Sequence, residues 1–362
     1  MAQPSRLEKK AQDCIDKGEF YEAHQVYRTM YFRMVSQERY DDLLQILASG
    51  SKKLSEAKEP LSALDLAELY AETLLKSKCD PSESIYSQLY SMLNQFCDPN
   101  FPIPNQEFLN KFISTCVKWS QSVASKRRER KHGLSELHYV IARAYSSHGH
   151  YANARNHMLF ADRPEEFAKL LHTMRENGGA KCSEAEMFCV LPFLQLLVMH
   201  RVHTASKLLS AYLAILNESP SCNGTRGELF NFLRLLCNAL NFHDEKLFNH
   251  LVESYKPHLD VDPCYASYLD RISQIFFGSS SSKRKNDSFG GLFGNILKGV
   301  LGEKKEEEEI FSDSDFESGS PSAMRYQTED AYETAEESDM PEVSTKDNDQ
   351  RAAVIENCDD LD

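Results

Sequence analysis

The stretch Lys17-Gly18-Glu19-Phe20-Tyr21-Glu22-Ala23-His24-Gln25-Val26-Tyr27-Arg28-Thr29-Met30-Tyr31-Phe32-Arg33 decides the fold. Gly18 supplies a turn and a helix starts directly after it. Tyr21, Ala23, Tyr27 and Tyr31 are spaced to mix large and small side chains along neighbouring helical rows. That pattern suits one helix of a helical hairpin packed on the next, with Ala23 allowing close approach and the tyrosines filling the space around it.

Outward from there, between Arg6 and Phe277, apolar residues recur at spacings of three and four, with turn signals every 15 to 20 residues. Pro60 fits the first turn of a helix to about Lys78 that includes Leu61, Leu64, Leu69 and Leu74. Asp80-Pro81 opens the next helix. Asp162-Arg163-Pro164 starts another, which Glu176-Asn177-Gly178-Gly179 ends. Asp262-Pro263 begins the last, which stops at Gly278. The corners at Gly18-Glu19-Phe20, Glu38-Arg39-Tyr40 and Gly149-His150-Tyr151 look alike, yet no fixed period of ~34 residues links them. About 14 helices and no alternating strand are expected. The fold class is all-α, an irregular α-solenoid of stacked, tetratricopeptide-like hairpins, an architecture that makes long surfaces for extended partners.

Charge separates the body from the C-terminal region. Gly278 to Asp362 holds 22 acidic and 9 basic residues, a net of −13 of the whole chain's −14. The expected organisation is a solenoid body at 1–278, a linker at 279–288, a short amphipathic helix at 289–301 and a disordered acidic tail at 302–362. Within the helix, Phe289, Leu292, Phe293, Ile296, Leu297, Val300 and Leu301 form one apolar stripe, weakened by Gly290, Gly291, Gly294 and Gly299. Such a stripe is expected to dock on protein. Lying on a membrane would call for more cations on its polar face than Lys298.

Ten cysteines without a CxxC read as reduced thiols. The N-terminus lacks a signal-peptide pattern. The longest apolar run, Val190 to Met199, is too short to span a bilayer, so a cytosolic or nuclear protein is expected, with the cytosol the preferred location. No Walker loop, GxGxxG, GxSxG or HExxH occurs, and neither His148-Gly149-His150 nor His200-x-x-His203 completes a metal site. No enzyme activity, cofactor or metal is expected. The basic clusters Lys126 to Lys131 and Lys283 to Lys285 are not interleaved with aromatics, so no nucleic acid is expected either. Ser312, Ser314 and Thr334 each have a carboxylate three positions on, which suits an acid-directed kinase.

Lys17 to Thr29 resembles the N-terminal hairpin of the Golgi-to-ER traffic protein 4 family, scaffolds of the targeting pathway for tail-anchored membrane proteins. Tyr268 to Gly278 looks like that family's closing helix, and Gly290 to Leu297 like the short apolar segment of its animal members. The resemblance covers roughly residues 5 to 301. It implies a right-handed α-solenoid without enzymatic activity that bridges a targeting ATPase to a ubiquitin-like adaptor and, in animals, a BAG-domain scaffold protein. The implied outcome is delivery of tail-anchored proteins to the endoplasmic reticulum, coupled to quality control of those that fail. The N-terminal hairpins would then face the ATPase. By position and helical face its contacts would be Lys10, Tyr21, His24, Arg28 and Arg33, with Asp65, Glu68 and Glu72 on the fourth helix. The other reading is a membrane-peripheral adaptor held by residues 289–301 without stable insertion.

Overall fold

The computed structural model describes residues 5–101, 103, 106–219 and 227–278, all within one compact unit, Met1–Glu308. Among them the chain is helical, with no strand. The first helices are α1 (Arg6–Asp16), α2 (Phe20–Ser36), α3 (Tyr40–Glu56), α4 (Pro60–Ser77), α5 (Glu83–Phe96) and α6 (Gln106–Val123). A short α7 (Arg127–His132) leads to α8 (Ser135–Ser147), α9 (Tyr151–Met158) and α10 (Pro164–Asn177). One 3-10 turn, Cys182–Glu184, precedes α11 (Ala185–Val198) and α12 (Val202–Glu218). Then come α13 (Glu228–Asn241), α14 (Glu245–Ser254), α15 (Lys256–Leu259) and α16 (Pro263–Phe277). The expected count of 14 falls short because α7 and α15 are too brief to show a period. The expectations for the linker, for the apolar stripe at 289–301 and for Ser312, Ser314 and Thr334 lie outside the described residues.

The tight corners share one mechanism. At Gly18, Glu38, Lys58, Gly149, Gly179, His200 and His243 the backbone is left-handed, with φ between 51° and 79°. The amide of the following residue then reaches back past the corner: Glu19 to the Cys14 carbonyl at 2.8 Å, Arg39 to Met34 at 3.0 Å, Glu59 to Leu54 at 2.9 Å. The left-handed residue's own amide donates three residues back, as Gly18 does to Ile15 at 3.0 Å. Orphan carbonyls at the helix end are thus satisfied by main chain alone.

Apart from α7, each α-helix buries apolar residues against its neighbours. α1 packs on α2, α3 on α4, α4 on α6, α5 on α8, α10 on α12 and α11 on α16, the neighbour-to-neighbour progression of an α-solenoid. Approach is closest among α2, α3 and α4. A Cβ on Gly50 of α3 would fall 2.8 Å from the Tyr27 ring and 2.9 Å from Leu66. Ala63, Ala67 and Ala71 form a fully buried small-residue row on α4. Trp119 of α6, the only tryptophan, is fully buried and donates Nε1–H to the Cys79 carbonyl at 2.9 Å, tying α6 to the α4–α5 connection. The apolar run at Val190 belongs to α11, whose residues from Pro192 to Val198 are all buried. No helix among the described residues is long and apolar enough to cross a membrane.

The core also holds polar clusters. His138 and His157 are buried, with their Nδ1 atoms 3.0 Å apart, and His138 Nε2 lies 2.9 Å from the His132 carbonyl. Only a donor can meet a carbonyl, so His138 carries its proton on Nε2 and its Nδ1 accepts from the His157 Nδ1–H. Burial pushes His138 down to about 4 and His157 well below its usual range, so both are neutral. Nearby, buried Arg201 donates to the Leu159 carbonyl and to the Asp162 carboxylate, which also faces Arg128 at 3.8 Å. Most described cysteines are free thiols, and burial pushes Cys97 and Cys189 up to about 12. Cys182 is the exception. It is disulfide-bonded, so the expectation of reduced thiols throughout does not hold there.

Candidate protein-interaction face

α2 and α4 run side by side in a fixed register. His24 Nε2 meets Asp65 Oδ2 at 2.8 Å, and Tyr31 OH donates to Glu72 Oε2 at 3.0 Å, each pair 41 residues apart. A constant offset means parallel helices, as expected when one antiparallel helix intervenes. Arg28 adds a second contact to Asp65 at 3.4 Å. Lys76 donates to the Tyr31 hydroxyl and lies 3.6 Å from Glu72. On the other flank, Lys111 of α6 reaches Glu68 at 2.5 Å. Burial alone would raise the Asp65 carboxyl. The His24 hydrogen bond and the charges of His24, Arg28 and Lys111 outweigh it and hold that carboxyl below its usual range. Asp65 is therefore ionised across the physiological range.

The first turns of the same three helices, α2, α4 and α6, carry Tyr21, Leu61 and Phe108. They are 70%, 51% and 46% exposed. The helices that carry the paired charges thus also carry exposed large apolar side chains. That combination suits recognition of another protein, with the apolar side chains supplying contact area and the charges supplying orientation.

The structure redistributes the residues expected here. Lys10 and Arg33 are exposed. Tyr21 does not fill space beside Ala23, as its spacing had implied. It lies two residues from Ala23, about 200° around the helix, and so faces away from the stripe of Ala23, Tyr27, Met30, Tyr31 and Met34 that α2 buries. His24 is only 9% exposed, so it positions Asp65 and offers a partner little surface. Arg28, Asp65, Glu68 and Glu72 are each engaged within the chain. Leu61 was read only as an apolar position of its helix, and Phe108 and Lys111 were not singled out. The signal was present for Leu61, an apolar residue directly after the helix-starting Pro60.

Elsewhere in the chain, the basic cluster is α7 itself, none of whose residues is buried. His148 and His150 cross to α5 and its end, meeting Asn94 Oδ1 at 3.2 Å and the Cys97 carbonyl at 3.1 Å. No group of three or more His, Cys, Asp or Glu side chains among the described residues is placed to hold a metal.

Comparison with known proteins gives a consistent result. The sequence model of the family described as Golgi to ER traffic protein 4 matches residues 37–297. The human Golgi to ER traffic protein 4 homolog is 32% identical over 319 residues, covering 87% of this chain and 91% of that one. The Bos taurus homolog is 31% identical over 311 residues, covering 85% and 90%. The crystal structure of Get4 from C. therm. shares the fold, with a TM-score of 0.65 at 22% identity over 81% of this chain and 95% of that one. The match at 37–297 includes the closing helix and the glycine-rich apolar segment. The hairpin at Lys17 to Thr29 precedes it.

Proposed function

Because the chain belongs to the Golgi to ER traffic protein 4 family, we propose that it is a non-catalytic helical scaffold for delivering tail-anchored membrane proteins to the endoplasmic reticulum. In this reading it works in the cytosol. It bridges a targeting ATPase, held at the α2–α4–α6 face, to a ubiquitin-like adaptor and a BAG-domain scaffold protein held by the C-terminal half. Clients that fail delivery pass to quality control through the same assembly. The observation that supports it most directly is the exposure of Tyr21, Leu61 and Phe108 in the first turns of α2, α4 and α6, the helices joined by the His24–Arg28–Asp65 and Lys111–Glu68 contacts.

The test uses residues that are exposed and outside that cluster. Arg33→Glu combined with Tyr21→Ala is expected to weaken ATPase binding roughly ten-fold, more at low salt than at high, while the helical signal and melting temperature stay at parental values. A variant that folds normally and binds as the parent does would move the ATPase contact to another surface.

A further inference from the structure

We propose that the apolar stripe of residues 289–301 docks back on the end of the helical body where α16 stops, with Phe242 as its anchor. The inference does not depend on the ATPase face. It begins with where the chain leaves the described body. α16 ends at Phe277, and Gly278 caps it with φ 68° and an amide hydrogen bond to the Gln274 carbonyl at 3.1 Å. Other elements meet at that point. The Phe277 ring lies 5.3 Å from Phe248 in the first turn of α14, and the Phe276 ring lies 5.2 Å from His200 at the α11–α12 corner.

Phe242 stands at the end of α13, six residues before Phe248, and is 80% exposed, the most of any large hydrophobic described. Six residues of chain hold it within about 20 Å of Phe248 and so near the α16 exit. Leu247, Phe276 and Phe277 are only partly buried there. An uncovered phenylalanine within that distance of half-covered ones leaves apolar surface for an occupant.

The chain carries a matching occupant within reach. Ten residues, 279–288, separate α16 from the stripe, and such a linker spans roughly 16–19 Å. The stripe presents Phe, Leu, Ile and Val at helical spacing, while its four glycines make it too weak a helix to form uncovered. The family match also runs past α16 to residue 297, so similarity continues into the stripe. A lipid surface is disfavoured by the single cation, Lys298, within 289–301.

Hydrogen exchange on the isolated full-length chain tests this. Peptides within 289–301 are expected to exchange at least about ten-fold more slowly than an unstructured chain. Phe293→Asp with Ile296→Asp, and separately Phe242→Asp, should each return them to the unstructured rate. Unchanged exchange in α13 and α14 controls for folding. Four results overturn the proposal: fast exchange of 289–301 in the parent, protection that survives Phe242→Asp, protection that grows with protein concentration and so marks a second copy, or protection only on added vesicles of neutral or anionic phospholipid.

Discussion

Lys58 holds the same left-handed backbone shape as Gly18, and its amide and that of Glu59 close the same pair of main-chain hydrogen bonds. At Gly18, Gly149 and Gly179 this shape was legible, because glycine announces it. At Glu38, Lys58, His200 and His243 it was not, because these residues adopt it against a steric cost that packing of the flanking helices covers. Lys58→Gly or Glu38→Gly should therefore stabilise the chain by about 0.5–1 kcal/mol, since both side chains are exposed and the relieved strain exceeds the added backbone entropy. Gly18→Ala should lose about as much. Urea midpoints of the three variants check both signs. The buried histidines were illegible for another reason. His138 and His157 lie 19 residues apart with no motif between them, and only the stacking of α8 on α9 brings their rings together.

Between elements, the sequence showed that α2 pairs with its neighbours but not which side it turns to them. Its apolar and aromatic residues outnumber the places on one stripe, so Tyr21 and Phe32 are left in water while Tyr27 and Tyr31 are buried. The small residues were the better guide. Gly50 is where α3 passes between Tyr27 and Leu66, and the contacts a methyl group would make there are with a rigid ring and a core leucine. Gly50→Ala is expected to destabilise the chain by roughly 1 kcal/mol, because overpacking at ~1–3 kcal/mol exceeds the ~1 kcal/mol of helix propensity gained. A thermal melt that rises instead would show that α3 can shift outward. The ionic partners on this face were half legible. The family resemblance, with position and helical face, singled out Asp65, Glu68 and Glu72 on α4, but that their charges are answered from α2, α4 itself and α6 required the three-dimensional register.

Across the whole molecule, the all-helical class and the concentration of net negative charge beyond Gly278 were readable directly, since periodicity and composition need no tertiary information. Stability against pH needed the fold. His138 titrates near 4 in the folded chain and near its ordinary 6.5 when unfolded, with His132 held down to about 4 beside it. A base whose value is lowered by folding contributes fully above 6.5 and loses stability as pH falls from there toward 4. For fully buried His138 alone that loss is on the order of 3 kcal/mol. Denaturant midpoints measured at pH 7, 6 and 5 should fall steadily, and His138→Gln should flatten the slope. Trp119 offers a convenient window on such experiments. As the only indole, buried on α6, bonded to the α4–α5 connection and with Tyr86 of α5 6.4 Å away, it gives the chain a built-in fluorophore whose emission reports one seam. A shift in its colour that precedes loss of the far-ultraviolet helical signal would time the opening of that seam without any dye or label.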